Sequence, residues 1–455
     1  MAKTRTIFFC TECGNESPRW QGQCPACSAW NTLVEEPVAP RNKKSAASPS
    51  RSTPSQQAAR LSDLTTQSEQ RWPTGIDEFD FVLGGGVVPG SLILVGGEPG
   101  IGKSTLLLQV AARLAASGRR ALYISGEESG AQVRLRADRL LEDTSEVLFL
   151  GETDLARVLA QAEEHAPAVL FVDSIQTTYT EDIEGAPGNV GQVRECAARL
   201  QRFAKENGVT VFLVGHVTKG GTVAGPKTLE HIVDTVLYFE DSGSLDHRVL
   251  RATKNRFGGV DEIGVFRMSA QGLTPVGNPS ELFLHDRNTG VSGSAVLATI
   301  EGTRPLLVEV QALCTKASYG APQRVVTGFD RQRLALLLAV LEQRANIPFG
   351  QLDVFLNVVG GVQIDEPAGD LAVVAALASA VLNRSLPPTA VFIGEVGLGG
   401  ELRAVSQIER RLSEAARMGF THAYVPQKSA PRGTGDGLSI VGVRDVQSLS
   451  TLLAT

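Results

Sequence analysis

The stretch GGEPGIGKST, Gly96 to Thr105, decides the fold of this 455-residue chain. It matches the spacing G-x-x-x-x-G-K-[ST] through Gly97, Gly102, Lys103 and Ser104, and it lies between an apolar run and a helical pattern. Glycines let backbone N–H groups close around a phosphate, and the amino end of the following helix adds a positive field. The stretch therefore predicts a nucleotide-binding loop between a strand and a helix.

Several side chains of this loop have an expected role with ATP. Lys103 should reach the β- and γ-phosphates, the Ser104 hydroxyl should bind Mg²⁺, and Thr105 should lie near the α-phosphate. A glycine-rich loop that arises by chance is the alternative, and the flanking strand and helix argue against it. The remaining nucleotide-binding residues of the prediction are Gly97, Glu98, Pro99, Gly100, Ile101 and Gly102.

Acidic residues end two of the other apolar runs. Asp173 ends VLFVD and is expected to hold Mg²⁺ through water, with a helix N-cap as the alternative role. Glu127 and Glu128 follow ALYIS, and one of them is expected to orient the attacking water as a general base. A solvated acidic turn is the alternative for this pair. Together with the loop, these residues predict Mg²⁺-dependent ATP hydrolysis.

Four of the six cysteines form two C-x-x-C pairs near the start of the chain. Four thiolates in this arrangement predict a closed, tetrahedral and structural Zn²⁺ site, and a redox pair or two disulfides are the alternatives. The predicted zinc ligands are Cys10, Cys13, Cys24 and Cys27.

Composition sets further limits on the function. The chain is 42% hydrophobic and 20% charged with a net charge of −6, so any nucleic acid must be held by local basic loops. The sequence contains no apolar run of about 18 residues, so no membrane span is predicted, and the N-terminus does not resemble a signal peptide. With cysteines that suit a reducing compartment, we expect a cytoplasmic protein without a membrane partner.

The pattern of apolar runs predicts four segments. They are a zinc ribbon at 1–34, a Pro- and Ser-rich flexible linker at 35–60, an α/β domain with a parallel sheet at 61–275, and an α+β domain at 276–455. In the last segment, amphipathic periodicity predicts a helix over Arg331–Ala345, and AVFIGEVGL is predicted to form one strand.

Several motifs carry a family resemblance. TGIDEFDFVLGGGVVPG before the loop resembles the entry to RecA-type ATPases. SGEES, HVTKGGTVAGPKTLEHIVDTVL and KNRFG, together with the cysteine ribbon, resemble the family of the bacterial DNA repair protein RadA, also called Sms, over essentially the whole chain. This resemblance implies a RecA-like core and a DNA-stimulated ATPase that acts in recombinational repair.

The resemblance also implies roles for single residues. Glu127 becomes the catalytic glutamate, with Glu128 as its neighbour, and His216 becomes a γ-phosphate sensor rather than an ordinary histidine at a sheet edge. His216 would signal to a DNA-binding loop at Thr218–Pro226, with the cations Lys219 and Lys227.

The KNRFG motif implies an oligomer. Lys254 and Arg256 would act in trans on the nucleotide of the neighbouring subunit, which requires a homo-oligomer such as a head-to-tail, hexameric ring. Contact with DNA is the alternative role for these two cations.

The C-terminal domain resembles the proteolytic domain of the Lon family. GEVGLGGELRAVSQIERR and VVGGVQIDEPAGDLAVVAAL carry the likeness, but Ala368 stands where that family has its serine and Glu409 where it has its lysine. Neither side chain can perform the family's chemistry, so the resemblance implies a domain without peptidase activity. It would build the ring and offer DNA-binding surface instead, with the candidates Arg324, Arg331, Arg333, Arg403, Arg410 and Arg411. Solvated helix faces are the alternative for most of these arginines.

Three functions remain in view. The first is a ring-shaped motor that moves on single-stranded and branched DNA, promotes branch migration and strand exchange, and works with a RecA-type recombinase. The second is an ATP-switched scaffold that binds recombination proteins without translocating. The third, an ATP-dependent protease, is disfavoured by Ala368 and Glu409. Whether the ribbon binds protein or DNA stays open.

Overall fold

The fold is taken from a computed structural model of the chain, which describes residues 5–10, 16–25, 28–38, 71–140, 146–216, 228–241, 247–317, 321–430 and 437–449. The chain divides into two compact units. One comprises Met1–Glu240 and Leu250–Pro275, and the other comprises Asp241–Val249 and Val276–Thr455. Over the described ranges, no helix combines the length and the apolar character that a membrane crossing requires.

A small antiparallel sheet lies at the start of the chain. Its strands are β1 (Arg5–Cys10), β2 (Glu16–Ser17) and β3 (Leu33–Val38), in the order β2-β1-β3. Cys10 pairs with Leu33 at the end of the β1–β3 ladder, which places this cysteine at the rim of the sheet.

A nine-stranded sheet organises the nucleotide-binding region, in the order β12-β11-β10-β9-β4-β8-β7-β5-β6. The strands from β9 to β6 run parallel, and β11 and β12 are antiparallel. Strands β4, β5 and β7 are buried along their whole length because helices cover both faces, which explains their continuous apolar runs. The elements are α1 (Asp77–Leu83), β4 (Leu92–Gly97), α2 (Lys103–Ala116), β5 (Ala121–Ser125), α3 (Gly130–Leu140), β6 (Val147–Leu150), α4 (Leu155–His165), β7 (Val169–Asp173), α5 (Val190–Asn207), β8 (Thr210–His216), β9 (Thr235–Asp241), β10 (His247–Asn255), β11 (Ile263–Ser269) and β12 (Gly272–Pro275).

The second unit is an α+β domain around a seven-stranded mixed sheet, in the order β15-β16-β14-β13-β17-β20-β21, with β18 and β19 as a separate hairpin. Helix α8 is almost entirely buried. The elements are α6 (Pro279–Leu284), β13 (Ser294–Glu301), β14 (Arg304–Lys316), β15 (Arg324–Thr327), α7 (Arg331–Ala345), β16 (Leu352–Val358), α8 (Asp370–Leu382), β17 (Ala390–Phe392), β18 (Glu395–Val396), β19 (Leu402–Arg403), α9 (Ile408–Arg417), β20 (His422–Pro426) and β21 (Ser439–Val443).

The predicted helix over Arg331–Ala345 is confirmed to the residue. The single strand expected over AVFIGEVGL is wrong, because the chain divides there into β17 and β18. The division falls where the Gly394 N–H leaves the sheet direction and donates to the Ala368 carbonyl at 2.9 Å. Strand β17 then pairs with β20, whereas β18 pairs with β19.

A buried ion pair lies at the centre of the second unit. Arg411 on α9 is 0% exposed and forms a bidentate pair with Glu366. The same guanidinium donates to the carbonyls of Ala298, at 2.8 Å, and Ser406, at 3.0 Å. The carboxylate also accepts from the Thr299 hydroxyl at 2.7 Å. The expectation that Arg411 contacts DNA is therefore wrong, since its charge is satisfied inside the domain.

Arg333 shows a related correction. Its guanidinium forms a bidentate pair with Asp370, whose side chain is fully buried at the start of α8. Removal of this arginine would leave the carboxylate without its counter-charge, so its first role is to hold α7 on α8.

We expect Arg411→Ala to destabilise the second unit by about 3–5 kcal/mol, because the substitution leaves the Glu366 carboxylate uncompensated. The measurement is amide hydrogen exchange of the α9 and β13 segments at increasing urea concentration. Arg410→Ala is the matched control, since the neighbouring arginine is exposed and, among the residues that the structure describes, donates only to Thr303 and Gln407. Equal exchange rates in the two variants would contradict a stabilising role for the buried pair.

Candidate functional site

The parallel sheet brings four predicted residues to one edge. The register pairs Gly97 of β4 with His216 of β8, and Ser125 of β5 with Asp173 of β7. These are the carboxyl ends of their strands, where open α/β sheets bind ligands. The loop after β4, Glu127 after β5, Asp173 and His216 therefore face one crevice.

Two glycines shape the loop. Gly97 has φ of +151° and Gly102 has φ of +117°, a backbone region that side-chain-bearing residues rarely adopt. A Cβ at Gly97 would lie 3.0 Å from the Cβ of Phe239, and one at Gly102 would lie 2.8 Å from the Cε of Met268. Close packing under the loop thus explains why the motif requires glycine at these two positions.

Lys103 curls back over this loop. Its Nζ donates to the carbonyl oxygens of Gly97 and Glu98, both at 2.8 Å, and the side chain is 3% exposed. Burial lowers the pKa of Lys103 to about 8, while the nearby carboxylates of Asp173 and Glu127 oppose that shift. The ammonium group is therefore held at the loop, with two carboxylates close behind it.

One oxygen of Glu127 has two protein partners. Its Oε1 accepts from the Ser174 hydroxyl at 2.5 Å and shares a hydrogen bond with Nε2 of His216 at 3.1 Å. The His216 bond lowers the pKa of Glu127 to about 2, Ser174 adds to the shift, and burial opposes it. Within the described residues, Oε2 has no hydrogen-bond partner, so it is open to a water molecule.

Glu128 occupies different surroundings. Its carboxylate pairs with Arg136 on α3, and its N–H donates to the Ser125 hydroxyl at 3.1 Å. Of the two glutamates that the local pattern left open, the structure places Glu127 beside Lys103 and His216 and turns Glu128 towards α3.

Asp173 is 4% exposed and has a partner that we did not predict. Its Oδ2 accepts from the Tyr123 hydroxyl at 2.7 Å. Burial, together with the charge of Asp173, raises the pKa of Tyr123 well above its ordinary value, so the phenol stays protonated. The available signal was a tyrosine within an otherwise apolar buried strand, where a phenylalanine would pack equally well.

The residues present fit a magnesium nucleotide. The Ser104 hydroxyl lies at the start of α2 and forms no hydrogen bond to any described residue, and the Asp173 carboxylate is close by in the crevice. Hydroxyl and carboxylate oxygens are the hard ligands that Mg²⁺ prefers, often through water. Lys103 and the backbone N–H groups at the start of α2 supply the positive field that phosphates require.

Lys254 and Arg256 lie at the opposite end of the strands, next to the amino end of β4. Arg256 pairs with Asp234 at 2.9 Å, and the Lys254 ammonium donates to the carbonyls of Val233, at 2.8 Å, and Glu230. The Asp234 N–H donates to the carbonyl of Leu92, the first residue of β4. Since β4 rises about 3.3 Å per residue, these cations lie roughly 17 Å from the loop at its other end. They cannot serve the nucleotide of their own chain.

The predicted DNA-binding loop, Thr218–Pro226 with Lys219 and Lys227, lies outside the described residues. His216 is the last described residue before it. Its Nε2 contacts Glu127, and its carbonyl accepts from the Gln176 side chain at 3.3 Å.

Half of the predicted zinc ligands can be located. Cys10 and Cys24 are buried in one small cluster with Leu33, and the Cys10 thiol contacts the Thr32 hydroxyl at 3.2 Å. Cys13 and Cys27 lie outside the described residues, and the described part of the chain contains no cluster of three metal-binding side chains. The first cysteine of each C-x-x-C pair thus lies in the same small cluster, as a shared metal centre requires.

These features define a P-loop ATPase with a RecA-like core and an N-terminal metal-binding ribbon. The family model described as an AAA domain matches residues 58–222, and the one described as a rubredoxin metal binding domain matches residues 8–35. A KaiC-like protein from Pyrococcus horikoshii has 20% sequence identity and a TM-score of 0.39, over 46% of this chain and 99% of that one.

Full-length relatives define the family more closely. The DNA repair protein RadA of Bacillus subtilis is 50% identical over 100% of both chains. RadA of Pseudomonas aeruginosa is 50% identical over 99% of this chain and 100% of its own, and RadA of Streptococcus pyogenes is 48% identical over 98% of each. The chain belongs to the RadA family.

The ribbon generates a prediction about thiol reactivity. Burial raises the pKa of Cys196 to about 12 and that of Cys314 to about 11, so both remain unreactive thiols at pH 8. If the other four cysteines bind zinc, the purified chain should contain one zinc ion and show almost no fast-reacting thiol. Removal of the metal with a chelator should then release four thiols, as measured with Ellman's reagent and elemental analysis.

Cys24→Ser should release the zinc, whereas Cys196→Ala, as the matched control, should change neither the metal content nor the number of released thiols. Four reactive thiols before chelation would rule out the metal site.

Proposed function

We propose that this chain is a DNA-stimulated ATPase that assembles into a ring and acts as a motor on single-stranded and branched DNA during recombinational repair. The family resemblance implies that the ring is a hexamer. The observation that carries this proposal is the separation of Lys254 and Arg256 from the loop of their own chain. In a head-to-tail ring, the amino edge of one sheet can face the nucleotide of the next subunit. The names of the full-length relatives supply the setting of DNA repair.

The residues of the crevice have separate proposed roles in hydrolysis. Bound ATP supplies the phosphoryl group, and Mg²⁺ supplies charge neutralisation between its phosphates. Lys103 would exchange the loop carbonyls for phosphate oxygens, and Ser104 and Asp173 would hold the metal. Glu127 orients the attacking water through its open Oε2, while Ser174 and His216 hold Oε1.

The pKa of Glu127, about 2, shapes that role. A carboxylate of such low basicity is a weak proton acceptor, so we assign it the orientation and polarisation of the water first. Movement of His216 away from Oε1 would remove the main cause of the lowered pKa and make Glu127 more basic. A coupling between His216 and bound DNA would therefore raise the rate of hydrolysis.

The second unit is proposed to have no peptidase activity. Ala368 is buried and lacks an oxygen, and Glu409 is exposed on α9. Arg411, two residues after Glu409 on α9, is already saturated by Glu366 and by the Ala298 carbonyl. We assign this unit to ring assembly and to DNA contact through its exposed cations rather than through Arg411.

The proposal predicts ATP hydrolysis that single-stranded DNA accelerates and that salt weakens, because phosphate contacts are lost as counterions compete. The measurement is ATP turnover with and without single-stranded DNA between low and moderate salt. Lys103→Ala should abolish turnover under all conditions. DNA-independent turnover would contradict the motor and support a nucleotide-switched scaffold that holds a RecA-type recombinase.

Mixed rings test the trans-acting cations. Glu127→Gln and Arg256→Ala should each be nearly inactive alone, but in an equal mixture about one site in four combines an intact Glu127 with an intact Arg256 from its neighbour. Turnover should recover to about a quarter of the unaltered value. Arg267→Ala, which removes an exposed cation on β11, is the control and should keep full activity. Absence of recovery at every mixing ratio would assign Arg256 to another role.

A further inference from the structure

Tyr123 introduces one polar atom into an apolar layer. The layer between the sheet and helices α1, α2 and α3 contains Phe79, Leu107, Val133, Phe171 and Phe212 among its buried members, and the Tyr123 side chain lies among them. The ring stacks on Phe171 with centroids 6.0 Å apart. Packing alone would be served by phenylalanine, so the hydroxyl calls for its own explanation.

The register explains how the hydroxyl reaches Asp173. Tyr123 lies opposite Phe171, and two residues further along, Ser125 lies opposite Asp173. Residues two apart share a face of the sheet and are separated by about 6.6 Å, which a tyrosine side chain spans. The phenol therefore runs along the face and meets the carboxylate from the core side, at 2.7 Å.

We propose that Tyr123 is a positioning residue for Asp173, and that it tunes how tightly the site holds Mg²⁺. This inference rests on the proposed role of Asp173 at the metal. The hydroxyl occupies Oδ2, so Oδ1 is the oxygen left for the metal's water. A second partner of this kind fixes the orientation of a ligating carboxylate.

Asp173 also interacts electrostatically with Lys103. The electrostatic interaction between the two side chains is strong enough to oppose the effect of burial on the lysine. Without the phenol, the buried Oδ2 lacks a donor, and the ammonium of Lys103 is the nearby cation that can supply one. Such a pair would draw Lys103 away from the Gly97 and Glu98 carbonyls.

The test is Tyr123→Phe in the full chain, because phenylalanine keeps the ring on Phe171 and removes only the hydroxyl. The readout is binding of a fluorescent, non-hydrolysable ATP analogue as a function of Mg²⁺ concentration. We expect the Mg²⁺ concentration at half-saturation to rise about 10-fold or more, the range for loss of a ligand's outer partner. Binding in the presence of EDTA should change far less, and excess Mg²⁺ should restore the affinity.

Tyr179→Phe is the matched control, since the Tyr179 hydroxyl has no hydrogen-bond partner among the described residues and only its backbone forms hydrogen bonds, with Thr153 and Leu155. An unchanged Mg²⁺ dependence in Tyr123→Phe would overturn the inference. The double variant with Asp173→Asn should show no further loss beyond Asp173→Asn alone, because both substitutions act on one carboxylate. A fully additive loss would assign Tyr123 a role that does not pass through Asp173.

Asp173→Asn separates this inference from the proposed function. If that variant leaves the Mg²⁺ dependence unchanged, the metal role of Asp173 is wrong. If it raises the requirement for Mg²⁺ but Tyr123→Phe does not, only the role of Tyr123 fails.

A measurement on the unaltered sequence covers the case in which Tyr123→Phe does not fold. The chain has five tyrosines, so 3-fluorotyrosine labelling gives five resonances, and Tyr→Phe substitution at the other four assigns that of Tyr123. This resonance should shift when Mg²⁺ is added to the analogue-bound chain, and an unmoved resonance would overturn the inference.

Discussion

The parallel pairing of β4, β8, β7 and β5 is the constraint on which the site depends. Each strand ends with a residue that acts at the same edge, because parallel strands carry their carboxyl ends together. The pairing of Gly97 with His216 and of Ser125 with Asp173 brings groups from distant parts of the sequence into one crevice. A slip of one residue between β5 and β7 would turn Tyr123 and Asp173 to opposite faces and separate the hydroxyl from the carboxylate.

The site keeps three charged side chains in a largely buried crevice by giving each a fixed partner. Lys103 uses loop carbonyls, Asp173 uses the Tyr123 hydroxyl, and Glu127 uses Ser174 and His216. In each carboxylate one oxygen has a protein partner and the other remains for metal or water. Fixed partners matter here because a buried charge without one costs several kcal/mol or loses its charge. The same arrangement leaves one oxygen of each carboxylate available to metal or water. Phosphate oxygens can replace the loop carbonyls as partners of Lys103.

The sequence predicts features that depend on neighbouring residues, and it misses features that depend on contacts between residues far apart in the chain. The loop from Gly96 to Thr105, the strand before it and the helix over Arg331–Ala345 are local patterns, and the sequence predicted them well. The local pattern left Glu127 and Glu128 open and the family resemblance implied Glu127, to which the structure adds that Glu128 pairs with Arg136 on α3. Tyr123 needed the register of two strands. Arg411 was wrongly expected at the surface because helical periodicity alone does not show that Glu366, far away in sequence, turns a cation into a core residue.

In the proposed ring, the carboxyl ends of the strands supply the nucleotide site, and the amino end of the neighbouring sheet supplies Arg256. Arg256 is not idle in a single chain, since its guanidinium already pairs with Asp234, which also accepts from the Leu92 N–H. In the proposed ring, the nucleotide of a neighbouring subunit would compete with that carboxylate for the guanidinium. Because Asp234 is anchored to β4 on one side and to Arg256 on the other, it holds the cation at a defined place rather than leaving it to solvent. A pre-positioned cation would lose less freedom on closure of the proposed ring, so more of its interaction with the developing charge would be available to the transition state.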